Sequence, residues 1–197
     1  MRSINQKNRM IRSFIAVDIP NDIKDKIAEI QMELQPILPK VSWVKPSNIH
    51  LTLKFLGDVD SNQIPSIEDA IRHVVKDQQP FNMKIGSIDA FKKSSQPKVL
   101  WFDIATDPTP IVRLTENLNS SLNRFSSSKE SRKFIPHLTI ARIRNHISLP
   151  KFASHFDAYN EINHVPIYVK QIVLMRSQLT SEGAIYTKLQ TVQFGVG

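Results

Sequence analysis

Two segments of the sequence set a histidine and a threonine two residues apart inside an apolar run: NIHLTLKFLG, residues 48–57, and IPHLTIARIR, residues 135–144. Imidazole, with an ordinary pKa near ~6.5, is the side chain suited to give or take a proton at neutral pH. A threonine hydroxyl donates and accepts, and arginine adds a charged donor fork, so together they can hold the nonbridging oxygens of a phosphate. His50 with Thr52 and His137 with Thr139 therefore offer an acid, a base and a phosphate cradle. That set suits metal-free phosphoryl transfer with one imidazole on either side of phosphorus. The plainer reading, a strand histidine tied to a backbone carbonyl, accounts for one copy more easily than for two.

Strands must present these groups. Side chains alternate along a strand, so His50 and Thr52 share one face while Leu51, Leu53 and Phe55 take the other. His137 and Thr139 oppose Leu138 and Ile140 in the same way. Each strand then has an apolar back and a polar front, and two fronts meeting across a seam would form one cleft. Arg142 conflicts with this pattern, because strict alternation from His137 sends it to the back. A β-bulge or the strand's end has to re-aim it, or it is a solvated surface arginine.

The flanking pattern alternates strands and helices. Strands are expected over 13–19, 41–44, 49–57, 81–91, 99–105, 134–143, 165–177 and 183–194. Ile23, Ile27, Ile30 and Leu34 mark one amphipathic helix, Ile64, Ile67, Ile71, Val74 and Val75 a second, and Leu114, Leu118, Leu122 and Phe125 a third. A short helix is expected over 149–159, a polar hairpin loop over 92–97 and a mobile basic loop over 126–133. The interval from His50 to His137 is 87 residues, as it is from Thr52 to Thr139. A helix and two strands follow each histidine strand, which predicts two related lobes with no linker between them. Residues 1–11 read as a flexible tail and 12–197 as a single bilobal domain.

Composition narrows the partners. The 197 residues carry a formal net charge of +8, which favours an anionic partner such as nucleic acid or nucleotide. There are no cysteines, so disulfides and thiolate metal sites are excluded. No apolar stretch approaches the ~18 residues of a membrane span, and the basic start has no apolar core behind it. The expectation is a soluble, cytoplasmic monomer without membrane contact.

The HLTL and HLTI tetrads, the opening RSFIAVDIP, the stretch WVKPSNIHLTLKFLGDV and the late LMRSQLTSEGAIYTKL resemble the two-histidine phosphoesterases, in the branch of RNA 2′,3′-cyclic phosphodiesterases also called 2′-5′ RNA ligase-like. The resemblance runs from Arg12 to Phe194. It implies a bilobal α+β fold with two pseudo-symmetric antiparallel sheets lining a central groove, helices outside, and no cofactor. It also implies opening of RNA 2′,3′-cyclic phosphate ends to 2′-phosphates, with 2′-5′ joining in some members. By this resemblance His50 and His137 are the catalytic pair, and Thr52, Thr139 and Arg142 bind substrate. The expected roles are base for His137 and acid for His50; pseudo-symmetry leaves the reverse open.

Other residues carry two readings each. Trp43, Phe14 and Tyr186 are base-stacking candidates or core aromatics. Lys92, Lys93, Lys98, Arg132 and Lys133 track an RNA backbone or form an ordinary solvated face. Arg176 and Ser177 are candidates for the groove wall. His73, His146, His155 and His164 read as structural or surface residues. No histidine pair has zinc-motif spacing. A noncatalytic RNA-end binder using the same basic groove is the alternative, although binding alone has no need of two titratable rings.

Overall fold

The computed structural model describes residues 9–93, 96–127, 133–144, 156, 159, 166–181 and 183–195. The short helix expected over 149–159, most of the 126–133 loop, and His146, His155 and His164 lie outside the described residues, apart from Phe156 and Tyr159.

The helices follow their apolar stripes. Helix α1 (Asn21–Leu34) starts after Pro20, and buries Ile23, Ile27 and Leu34. Helix α2 (Ile64–Val75) buries Ile67, Ala70, Ile71 and Val75, and α3 (Thr109–Leu122) buries Ile111, Leu114, Leu118 and Leu122. Both carry a proline in the first turn, where the missing N–H has no helical partner to lose. Among the described residues, no helix is long and apolar enough to cross a membrane.

The strands are β1 (Met10–Asp18), β2 (Val41–Trp43), β3 (His50–Asp60), β4 (Phe81–Lys93), β5 (Gln96–Ile104), β6 (Leu138–Ile143), β7 (Pro166–Val169), β8 (Gln171–Thr180) and β9 (Gly183–Gln193). Strand β1 begins two residues before the domain boundary expected at Arg12. The predicted strand 134–143 starts only at Leu138, since Pro136 has no N–H for a ladder. The predicted strand 165–177 divides at Lys170, β7 pairing with β4 and β8 with β1.

The antiparallel order is β7-β4-β5-β6-β3-β1-β8-β9, with β2 on β6. The hairpin β4–β5, which follows β3 in the chain, lies beside β6. The hairpin β8–β9, which follows β6, lies beside β1 and so next to β3. Each lobe therefore mixes strands from both halves of the chain. The lobes join at one Cα pair, Leu51 with Leu138, both fully buried.

Most of the apolar core lies between the sheet and its helices, and Ile15 and Val17 of β1 belong to it. The alternate residues Phe14 and Ala16 form a second, smaller cluster with Val173 and Met175 on the opposite face, with Tyr186 packed against it. Strand β1 is thus buried on both faces, and the smaller cluster supports the groove.

Candidate active site

His50 opens β3 and His137 immediately precedes β6. Each ring is fixed by the backbone two residues earlier. The Nδ1–H of His50 donates to the Asn48 carbonyl at 2.7 Å, and that of His137 to the Ile135 carbonyl at 2.7 Å. A carbonyl only accepts, so Nδ1 carries the proton and the neutral ring leaves Nε2 as its proton acceptor. His50 Nε2 lies 2.9 Å from Thr52 Oγ1.

Aromatic rings wall both imidazoles. Phe14 and Tyr186 approach His50 with centroids at 4.8 and 5.2 Å. Phe91 and Trp101 approach His137 at 4.9 and 5.7 Å, and stack on each other at 4.6 Å. Counting outward from Leu51–Leu138, His50 falls opposite Thr139 and His137 opposite Thr52. All four side chains then share the face opposite the buried leucines, and diagonal partners across such a ladder lie roughly 7–8 Å apart. That spacing leaves room for a phosphate between the rings.

Burial lowers the pKa of both rings below the ordinary 6.5. At His50 the Asn48 carbonyl opposes the burial; Lys24 reinforces it, Asp18 opposes it, and His137 adds repulsion. At His137 the Ile135 carbonyl opposes the burial and Arg142 reinforces it. Asp18 itself is the Cα partner of His50 and is held by Lys24 at 2.7 Å and Lys188 at 2.6 Å. Its own burial pushes its pKa up, but the hydrogen bonds and charges of Lys188 and Lys24 outweigh this and leave it lowered.

A bulge in each histidine strand sets the facing of Phe55 and Arg142. In β3, Thr52 pairs with Ala16 and Lys54 with Ile15, leaving Leu53 as the extra residue. In β6, Thr139 pairs with Trp101 and Ala141 with Leu100, leaving Ile140 as the extra residue. These extra residues are also 87 apart. Each bulge reverses the alternation beyond it. Lys54 and Ala141 turn inward, while Phe55 and Arg142 turn out into the groove. The expected placement of Phe55 on the apolar back is therefore corrected: it is 43% exposed and lines the groove. Arg142 likewise lies on the groove wall instead of the back.

Buried polar groups anchor both bulges. The Ile140 carbonyl accepts from Val44 N–H at 2.9 Å and from Gln31 Nε2 at 3.0 Å. The inward-facing Lys54 donates to Asn119 Oδ1 at 2.8 Å and Asn123 Oδ1 at 3.1 Å, fastening β3 to the end of α3. A few residues on, Ser127 N–H and its hydroxyl both reach the Leu56 carbonyl, at 2.9 and 3.2 Å.

Next to His50 the groove opens into a cavity of about 970 Å³. Four cations, Arg12, Lys45, Arg142 and Arg144, line it with one carboxylate, Asp58. Phe14, Trp43, Phe55 and Tyr186 supply ring surfaces, and Ser177 supplies a hydroxyl. Of the other predicted cations, Arg176, Lys92, Lys98 and Lys133 are not in this lining, and the Lys93 side chain and Arg132 lie outside the described residues. The sequence reading missed Arg12, Lys45, Arg144, Phe91 and Asn48. Arg12 was detectable, because it lies two residues before Phe14 on the same alternating face. Lys45 stands in the same relation to Trp43.

Comparison with known proteins adds to this geometry. The family described as LigT like phosphoesterase matches residues 17–101 and 104–186. A relative in Methanocaldococcus jannaschii, named RNA 2′,3′-cyclic phosphodiesterase, is 30% identical over 176 residues, 89% of this chain and 96% of that protein. One of the same name in Methanothermobacter thermautotrophicus is 29% identical over 180 residues, 91% of this chain and 97% of that protein. Escherichia coli LigT complexed with 3′-AMP superposes with a TM-score of 0.78 at 22% identity, covering 94% of this chain and 98% of the other, a likeness of fold.

Proposed function

Because this chain belongs to the LigT-like phosphoesterase family, we propose that it opens the terminal 2′,3′-cyclic phosphate of RNA to a 2′-phosphomonoester, with His50 and His137 as its acid and base. The observation that carries the proposal is the matched tethering of the two rings. Each is held through Nδ1 by the carbonyl two residues before it, beside the one pair that joins the lobes. Each keeps Nε2 for proton transfer.

In this reading His137 Nε2 takes a proton from water as its oxygen bonds to phosphorus. The bond from phosphorus to the ribose 3′-oxygen breaks, and His50 Nε2 returns a proton to that oxygen. Arg142 beside His137 favours its neutral, proton-accepting form, while Asp18 favours protonated His50 against the opposing charge of Lys24. Repulsion between the rings disfavours protonating both, which supports one proton shared by the pair. Thr52, Thr139 and Arg142 hold the phosphoryl oxygens and stabilise the charge that develops there. If an RNA 5′-hydroxyl takes the place of water, the same proton movements form a 2′-5′ phosphodiester. The cations and rings of the adjoining cavity suit the nucleotides behind the reacting end.

The test is incubation of the purified chain with EDTA and an oligonucleotide 2′,3′-cyclic phosphate, followed by identification of the product. A 2′-monophosphate is expected. A 3′-monophosphate would reverse the leaving group, and tight binding without turnover would favour an RNA-end binder.

A further inference from the structure

Asn48 is hydrogen-bonded in opposite directions through its carbonyl and its side chain. Its carbonyl accepts the His50 Nδ1–H at 2.7 Å, and its own Nδ2–H donates to the Ala184 carbonyl at 2.7 Å. Ala184 lies in β9, two residues from Tyr186, whose ring meets His50 edge-on. Both line the cavity beside His50. The residue in the equivalent place before His137 is Ile135, 87 positions from Asn48. Its carbonyl holds His137 at the same 2.7 Å, but its side chain has no donor and is 45% exposed. The two rings are thus held alike by their carbonyls and differently behind them.

We propose that Asn48 is a positioning residue, which pins the carbonyl that orients His50 to the β8–β9 hairpin, so that this wall of the groove and the proton-carrying ring are set together. The assignment rests on the acid role proposed for His50. Asn48 ends a single 3-10 turn, Pro46–Asn48, closed by Asn48 N–H to Lys45 O at 2.8 Å and Ile49 N–H to Pro46 O at 3.0 Å. A single 3-10 turn, with its less favourable i to i+3 bonding, is a weaker support than a strand ladder. Strand β9 pairs with β8 from Gly183 to Gln193, and supplies the firmer anchor. A displacement of about 1 Å at a reacting group costs up to roughly 100-fold in rate, so an anchor one residue removed from the acid is consequential.

The groups facing His50 are Asp18 of β1, Lys24 of α1, Thr52 of β3, His137 across the seam, and Tyr186 of β9, with Lys188 reaching it through Asp18. Replacing Asn48 changes none of them. The experiment compares wild type with Asn48→Ala and Asn48→Leu, the second keeping bulk without charge or donor. Imidazole ¹⁵N spectra are recorded through a pH titration, and kcat and KM are measured on a cyclic phosphate end. His50 is expected to lose its uniform Nδ1–H signature and to titrate at lower pH, with His137 unmoved. The expected loss in kcat is about tenfold, with KM within about threefold. His50 titrating as in wild type, in whichever variant is folded, would overturn the assignment. The spectra need no turnover, so an inactive wild type would remove the proposed function while the position of Asn48 is still decided by His50.

Discussion

Leu51 faces Leu138 across the Cα pair that joins β3 to β6, and the histidine preceding each leucine projects to the other side of the sheet. Core packing and ring placement therefore depend on the same two residues. Leu51→Ala or Leu138→Ala should cost about 2–5 kcal/mol in a urea titration, since both sites are fully buried and collapse only in part. Folded material should also lose kcat, because the lobes no longer meet in register. Unchanged kcat in a destabilised variant would separate the seam from the chemistry.

The pH dependence has a definite sign. Burial depresses both imidazoles below 6.5, so the form with one ring charged and one neutral is most abundant on the acid side of that value. The profile of kcat/KM should be a bell with its maximum below about pH 6.5. A flat profile from pH 5 to 9, or a maximum well above 7, would contradict the pairing. The same depression destabilises the fold in acid. The contribution of these two groups is complete above about 6.5 and is lost as pH falls through their lower folded values.

Arg142 projects into the groove only because Ile140 bulges. Arg142→Ala should lower kcat/KM by about 100-fold with little change in melting temperature, the residue being exposed. Arg142→Lys should restore only part of this, as a point charge does not reproduce a planar fork. Equal kcat/KM in wild type and the alanine variant would return Arg142 to the solvated surface.

Gln31 offers an independent test of that bulge. It is 3% exposed and donates from one amide to both the Val44 and Ile140 carbonyls. Gln31→Leu should cost about 1–3 kcal/mol by taking this donor from the Val44 carbonyl and leaving the Ile140 carbonyl with Val44 N–H, and should raise KM through Arg142. A loss of stability with KM unaltered would mean that the bulge keeps its shape without the amide.

How much of this was legible beforehand follows from the local rules of strands and helices. The stripes of Ile23, Ile27 and Leu34, or of Leu114, Leu118 and Leu122, fix their helices because period and burial coincide. The facing of His50, Thr52 and Thr139 followed from alternation, and that of His137 from the same count carried back one residue before the start of β6. Phe55 and Arg142 did not, because a bulge is set by the pairing of distant strands, here β1 with β3 and β5 with β6. The exchange of hairpins between lobes was hidden for the same reason. The spacing of 87 residues revealed the repeat but not which sheet each hairpin would join. The aromatic walls came from β1, β9 and the β4–β5 hairpin, which reach the two imidazoles only through the pairing of distant strands.

The most direct measurement is kcat for His50→Ala, His137→Ala and the double variant on one cyclic phosphate substrate, with folding checked by circular dichroism. Two rings acting on a single phosphorus predict that each replacement alone removes at least about 100-fold, and that the double variant is scarcely worse than the weaker single one. Either single variant turning over at the wild-type rate would contradict the account.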